Sequence, residues 1–292
     1  MDVKVAATAG FCYGVQRAVS AVYEQLEKNA GKKIFTYGPI VHNDTVVAEL
    51  VSKGVGVIKD RDELSKMALS GELSGSVCVI RAHGIGNEET ELLKKVENLE
   101  IVDATCPFVT KIHTIVKEHY RLGEQIIVTG DRNHPEVTGI IGSIGNDATV
   151  ISETAEAENL TLSADKKICL VSQTTFNARK FEDIVEILKN KMYDIRIVNT
   201  ICNATQRRQS EAAALSRECD AMIVIGGRNS SNTAKLFDIC RSFGRATYYI
   251  QCLDDLSKVA IGNSVRCIGI TAGASTPKTI IEEVLSYVRT EF

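Results

Sequence analysis

The stretch Ile101-Val102-Asp103-Ala104-Thr105-Cys106-Pro107-Phe108 decides how this chain folds. An apolar, β-branched run reads as a short strand, and the segment from Phe108 to Leu122 that follows reads as a helix. Between them stands a thiol. A residue at the carboxyl end of a strand and the start of a helix is where α/β folds hold ligands. Two further cysteines occupy the same kind of junction, Cys12 at 94 residues before Cys106 and Cys202 at 96 residues after it, in a chain of 292. Cys12 follows Val3-Lys4-Val5-Ala6-Ala7 and precedes a helical segment, Gly14 to Lys28. Cys202 follows Ile195-Arg196-Ile197-Val198 and precedes another, Gln206 to Glu218.

The spacing extends to other junctions. His42, His134 and Ser230 lie 30, 28 and 28 residues after their cysteines, each behind a strand-like run. His83, Thr174 and Ser275 follow after a further 41, 40 and 45 residues, again behind apolar runs. A fourth strand fits inside each third: Val55–Ile58, Ala148–Ile151 and Ala246–Ile250. Short strands alternating with helical segments predict mainly parallel sheets with helices on their faces. The expected fold is therefore α/β, with three pseudo-threefold-related units of about four strands each, arranged as a trefoil whose loop ends face one centre. The units are drawn at residues 1–100 (Cys12, His42, His83), 101–196 (Cys106, His134, Glu136, Thr174) and 197–292 (Cys202, Ser230, Asn232, Ser275).

Composition narrows the function. The chain is 44% hydrophobic and 24% charged, as ordinary globular proteins are. A net charge of −3, no Trp and only 5% aromatic residues argue against a nucleic-acid surface. No apolar run approaches the roughly 20 residues of a membrane helix, and no signal-peptide pattern opens the chain. The expected compartment is the cytoplasm. There, nine cysteines, an odd number, do not read as a disulfide framework. Cys78, Cys169 and Cys267 fall within the last strand of each unit and read as small core residues. Cys219, Cys240 and Cys252 show no metal-knuckle spacing.

Cys12, Cys106 and Cys202 are different. They sit in Gly-, Pro- and Thr-rich turns at helix N-termini, which lower thiol pKa values and prepare thiolates for metal. A soft three-thiolate set leaves two options open, zinc and an iron–sulfur cluster. Clusters normally use four cysteines, and three leave one iron open. His42, His83 and His134 occupy tight turns, and the segments Gly226 to Asn232 and Thr271 to Pro277 are hydroxyl- and amide-rich loops before helices, a cradle for phosphate. Glu136 follows a His-Pro turn, and Asp131 reads equally well as a turn residue.

The motifs, in order, are Gly-Phe-Cys12-Tyr-Gly-Val-Gln-Arg-Ala, Gly-Pro-Ile-Val-His42-Asn, Ala-His83-Gly, Asp-Ala-Thr-Cys106-Pro, His134-Pro-Glu136-Val, Ser-Gln-Thr174-Thr, Ile-Cys202-Asn-Ala-Thr205-Gln-Arg-Arg-Gln, Asn229-Ser-Ser-Asn232 and Thr-Ala-Gly-Ala-Ser275. With these the chain resembles the hydroxymethylbutenyl diphosphate reductases, the LytB/IspH family, from Gly10 to Pro277. The resemblance implies an oxidoreductase acting in the last step of the non-mevalonate isoprenoid pathway. It implies a [4Fe–4S] cluster on Cys12, Cys106 and Cys202, its fourth iron open to substrate. It also implies diphosphate binding by His42, His83, His134, Ser230, Ser231, Asn232 and Ser275. Glu136 becomes the proton source and Thr174 the residue that orients the substrate hydroxyl, with Thr175 and Thr205 as further members of a relay. Reduced ferredoxin or flavodoxin is the expected electron donor, since no Gly-x-Gly-x-x-Gly fingerprint marks a nicotinamide or flavin site. A zinc hydrolase on the same cysteines and a redox sensor without a substrate pocket are the rival readings.

Overall fold

A computed structural model describes residues 1–162, 166–262 and 264–291. Along the chain come β1 (Asp2–Val5), α1 (Tyr13–Lys28), β2 (Ile34–Tyr37), α2 (Asp44–Ser52), β3 (Val55–Ile58), α3 (Arg61–Leu69), β4 (Val77–Ile80) and α4 (Asn87–Lys94). The middle holds β5 (Glu100–Asp103), α5 (Pro107–Arg121), β6 (Gln125–Thr129), α6 (Pro135–Gly142), β7 (Thr149–Ile151), α7 (Thr154–Asn159), β8 (Ile168–Ser172) and α8 (Ala178–Asn190). The last third holds β9 (Ile195–Ile197), α9 (Asn203–Glu218), β10 (Ala221–Ile225), α10 (Ser231–Ser242), β11 (Ala246–Ile250), α11 (Leu253–Leu256), β12 (Cys267–Ala272) and α12 (Lys278–Glu291). The expected helices after the cysteines are all present; the third begins at Asn203, three residues before the sequence pattern placed it. No helix among the described residues is long and apolar enough to cross a membrane.

The strands form three four-stranded parallel sheets, ordered β3-β2-β4-β5, β7-β6-β8-β9 and β11-β10-β12-β1. In the first two, the central strands leave in opposite directions, one crossover running to each side; in the third, β10 crosses over to β11 while β12, with β1 on its other side, leads into α12. Their carboxyl ends therefore flank a topological switch point, where open α/β sheets bind ligands. The central pairs are β2/β4, β6/β8 and β10/β12. The loops that leave them carry His42 and His83, His134 and Thr174, and Ser230 and Ser275. The polar spacing seen in the sequence is thus the spacing of switch-point loops.

The ladders differ from the sequence phasing in one respect. The drawn bounds put β1 and β5 at the opening of a unit and β9 across a boundary, and the ladders pair each with the strands of another stretch: β5 joins β2–β4, β9 joins β6–β8, and β1 joins β10–β12. The physical reason lies in side-chain burial. Central strands are apolar on both faces because helices cover both, whereas β1, β5 and β9 are half-exposed edges whose partners periodicity does not specify. Hydrogen bonding continues past each edge strand. Ala104 and Cys106 N–H donate to Ile80 O and Ala82 O at 3.1 and 3.0 Å. Ala6 and Cys12 N–H donate to Ile270 O and Ala274 O at 2.8 and 3.1 Å. This lays Cys106 beside the Ala82-His83 turn and Cys12 beside the Ala274-Ser275 turn.

The chain divides into two compact units. The first comprises Met1–Val15, His42–Val46 and Cys202–Phe292, and the second Gln16–Val41 and Val47–Ile201. In the first, Ile223 and Ile225 face a core with α12 residues Ile280, Val284 and Val288. Met222 and Val224 face the other way, onto Ala212 of α9 and Leu236 of α10. In the second unit, β6 divides likewise, with Ile126 and Val128 on one face and Ile127 on the other. Each such fully buried side chain contributes about 1.5–3 kcal/mol. Cys78 and Cys169 are buried in these central strands, as expected of core thiols.

Within the second unit, α6 crosses α4 and the turn before it at very short range. A Cβ on Gly86 would lie 3.1 Å from Gly142 Cα, and one on Gly139 would lie 3.4 Å from the carbonyl of Gly84. Asn87 Nδ2 donates across this crossing to Ser143 O at 2.8 Å. The backbone approach brings the start of α6, with His134, up to the His83 turn.

Candidate functional site

In the first unit, two thiols stand at helix starts. Val15 N–H points at Cys12 Sγ at 3.5 Å. Cys202 caps α9: its Sγ accepts from Thr205 N–H at 3.4 Å and lies 3.1 Å from Thr205 Oγ1. Thr205 is therefore a partner of the thiol. Both cysteines are half-buried and free of disulfides, as is Cys106 in the second unit, the N-cap of α5 ahead of Pro107. Arg17 clamps that turn, donating to Thr105 O at 2.8 Å and Asp103 O at 3.2 Å. Backbone amides and the positive ends of helix dipoles at the thiols suit a soft, anionic, thiolate-bound group.

The first unit also carries the hydroxyl-rich loops. Ser230 caps α10, its Oγ accepting from Thr233 N–H at 3.3 Å. Ser231 opens the helix, and Asn232 is buried with its Nδ2 lacking a hydrogen-bond partner among the described residues. Tyr249 OH braces the loop through Gly227 O at 2.7 Å, and Gln251 Oε1 accepts from Arg228 N–H at 3.0 Å. Ser275 Oγ donates to His42 O at 3.0 Å, and a Cβ on Gly227 would stand 2.4 Å from the same carbonyl. Gly227 is thus required for the close approach of the Ser230 loop to the His42 backbone.

In the second unit, the rings of His83 and His134 meet edge to face, 5.3 Å between centroids. His134 caps α6, and its Nδ1 accepts from Glu136 N–H at 3.1 Å. That bond leaves the ring hydrogen on Nε2, a donor for an anion. Glu136 is 2% exposed. Its Oε1 accepts from Thr174 N–H at 2.5 Å and its Oε2 from Thr174 Oγ1 at 2.6 Å. Burial pushes the Glu136 carboxyl up to about 7 against the lowering effect of these two bonds. A carboxyl poised near neutrality can both hold and release a proton. Thr175 Oγ1 accepts from Gln173 Nε2 at 2.9 Å. Asp131 is the turn residue it resembled, its Oδ1 accepting from Asn133 N–H at 2.9 Å.

One other donor group lies in the second unit. His119 Nδ1 and Glu124 Oε2 are 2.8 Å apart, with Cys169 Sγ within 4.8 Å of both. The imidazole and carboxylate satisfy each other, and burial pushes the Cys169 thiol up to about 12, which keeps it protonated. Sequence reading missed several supports: Arg17, Arg208, Glu211 and the glycines between α4 and α6. Arg17 and Arg208 lie inside quoted motifs, but the carbonyls they reach, Asp103, Thr105 and Gly10, are far away in sequence.

The sheets carry half-buried thiols at the helix starts behind their edge strands, and imidazole and hydroxyl donors at their switch-point loops, donor types that suit a soft metal and an anion. The chain matches the LytB protein family over residues 3–289 and belongs to it. The 4-hydroxy-3-methylbut-2-enyl diphosphate reductase of Caldanaerobacter subterraneus subsp. tengcongensis is 45% identical over 99% of this chain and 97% of its own length. That of Clostridioides difficile is 41% identical, over 99% of both. Among solved structures, the E-1-hydroxy-2-methyl-but-2-enyl-4-diphosphate reductase of Plasmodium falciparum superposes with a TM-score of 0.91 at 30% identity, covering 99% of this chain and 88% of that one. An (E)-4-hydroxy-3-methyl-but-2-enyl diphosphate reductase, described as the terminal enzyme of the non-mevalonate pathway, gives 0.65 at 36% identity over 99% of both chains.

Proposed function

We propose that this chain is a 4-hydroxy-3-methylbut-2-enyl diphosphate reductase. It breaks the allylic C–O bond of its substrate, taking up two electrons and two protons and releasing water and isopentenyl or dimethylallyl diphosphate. The half-buried thiols of Cys12, Cys106 and Cys202, each at a helix start and none in a disulfide, support a cluster of the [4Fe–4S] type as their ligand. Such a group supplies electrons beside an iron position that three thiolates leave open. The diphosphate is assigned to His42, His83, His134, Ser230, Ser231, Asn232 and Ser275, whose donors and helix N-termini offset the repulsion between two anions. Reduced ferredoxin or flavodoxin is the proposed donor and the cytoplasm the proposed compartment.

The observation that carries the reading is the Glu136–Thr174 pair. A carboxyl raised to about 7 is partly protonated at neutral pH. Thr174 Oγ1 at 2.6 Å is the group through which its proton passes to the departing hydroxyl. When Glu136 is protonated, its O–H donates to Thr174, and the threonine hydroxyl turns outward as a donor. General acid catalysis of this kind contributes about 10²–10⁴ in rate. The test is the visible spectrum of anaerobically purified protein with and without substrate, together with turnover of Glu136→Gln. A brown protein whose spectrum shifts on adding substrate, and a variant at least about a hundredfold slower with its colour retained, are the expected results. A colourless protein would restore the zinc reading, and near-wild-type turnover would remove Glu136 from the mechanism.

A further inference from the structure

Arg208 is an anomaly in the electrostatics of the first unit. It lies in α9, the helix that Cys202 caps, and only 4% of it is exposed. Nη2 donates to Gly10 O at 2.6 Å, in the turn that leads to Cys12, and Nη1 reaches Ala204 O at 3.5 Å. Nε is buried and has no hydrogen-bond partner among the described residues. No carboxylate forms an ion pair with it there. The nearest candidate, Glu211, accepts instead from Ala7 N–H at 2.6 Å, from Thr8 N–H at 2.9 Å and from the Thr8 hydroxyl.

A guanidinium stays charged at any accessible pH and carries five donors. Burying one with neutral carbonyls alone is strongly unfavourable, because its charge is left without a counter-charge. Burial lowers the Arg208 pKa, while Cys12 and Cys202, ahead of Glu211, are the groups that act to raise it. Two of the three groups that offset its burial are thus the thiols of Cys12 and Cys202, the turn and the helix that Arg208 joins. Arg208 also links the two thiol-bearing segments mechanically, since it extends from the helix of Cys202 to the carbonyl of Gly10.

We propose that Arg208 is a positioning residue for the iron–sulfur group, fixing the Cys12 turn against α9 and using its charge to favour the more negative, reduced state of the cluster. The inference rests on the cluster reading above. A positive charge held beside the cluster stabilises the added electron, so it raises the reduction potential and eases electron uptake. No bond is made or broken at Arg208; it acts through the sulfurs.

The experiment is an anaerobic redox titration of full-length wild type, Arg208→Lys and Arg208→Gln. The reduced cluster is followed by electron paramagnetic resonance and iron content is measured alongside. At the wild-type midpoint, Arg208→Gln is expected to show a reduced-to-oxidised ratio at least about tenfold lower, which is about 59 mV for one electron. Arg208→Lys, which keeps the charge, should stay within about threefold of wild type, that is under about 30 mV by the same conversion. A merely structural residue would not move the potential in this charge-dependent way. Equal potentials in wild type and Arg208→Gln overturn the proposal. So does a lysine variant that falls as far as the glutamine one, or that folds but holds no iron. If Arg208→Gln yields no folded protein, the lysine variant alone decides. A wild type without iron overturns the cluster reading itself and this inference with it.

Discussion

The carboxyl of Glu136 makes stability depend on pH in a direction opposite to that of most acidic residues. It titrates at 4.5 in an exposed chain and at about 7 in the folded protein, where burial is the dominant cause. Between those values the folded state holds a proton that the unfolded chain has released. Stability from this residue is therefore fully present below pH 4.5, is lost as the pH rises to 7, and stays lost above it. At about 1.36 kcal/mol per pH unit the whole loss is about 3 kcal/mol, of which about 2.5 kcal/mol falls between pH 5 and pH 8. No solvent discount applies, because the side chain is enclosed. Glu136→Gln removes the titration while keeping the shape. Urea unfolding of wild type and variant at pH 5, 6, 7 and 8, followed by circular dichroism, isolates the effect, since all other groups cancel in the difference. The stability of wild type relative to the variant is expected to fall by about 2.5 kcal/mol from pH 5 to pH 8. A difference that stays constant within about 0.5 kcal/mol, the usual scatter of such comparisons, would refute the reasoning.

The other predictions concern the thiols and the close backbone approaches. Cys12→Ser, Cys106→Ser and Cys202→Ser should each abolish bound iron and activity, measured by iron content and turnover; a fully active Cys106→Ser enzyme would overturn the ligand assignment. Cys169→Ser should keep both, with a loss of stability of about 1–3 kcal/mol for placing a hydroxyl in a fully buried core position; loss of iron there would contradict its core role. Gly227→Ala puts a methyl 2.4 Å from the His42 carbonyl, so the loop must retreat. Steady-state kinetics should show KM for the diphosphate raised about tenfold, roughly one lost hydrogen bond to a charged group, with kcat less affected. Gly142→Val crowds Gly86 Cα, 3.1 Å from even the first added carbon. It should lower stability by about 1–3 kcal/mol in thermal unfolding; an unchanged melting temperature would count against a tight α4–α6 crossing.

Much of this architecture is written in the local pattern. Runs such as Ala221–Ile225 and Ile168–Val171 are apolar at every position, which only a sheet covered on both faces explains. The cysteine, histidine and serine junctions are legible because loops at strand ends recur at the period of the repeating unit. The edge strands are where legibility fails. Nothing in Glu100–Asp103 states whether it pairs with the strand before or after it, because the choice is made by crossovers spanning whole helices. The site follows the same division. Glu136 is visible as an acid after a His-Pro turn, but its raised pKa arises from enclosure, and the bonds that partly oppose it come from Thr174, 38 residues away. Arg208 is still less visible: its meaning comes from Gly10, 198 residues distant, and from an Nε that has no hydrogen-bond partner among the described residues. His42 reads as an imidazole ligand, whereas its backbone carbonyl is the atom that Ser275 and Gly227 approach.

The pairing of β1 with β12 bears on the order in which the protein can be made. During synthesis β1 has no partner until more than 260 residues have followed it. Val3 and Val5, which pack on the core of that last sheet, wait through the synthesis of both other sheets. Those two can close vectorially as they emerge, each completed by the strand that comes next. The final sheet cannot, and with it waits the register that sets Cys12 beside Ala274. A chain arrested late in translation would carry two finished sheets and an unassembled thiol set. Assembly of the Cys12 and Cys202 segments in the first unit is thereby tied to the synthesis of β12 and the Ala274 turn that follows it.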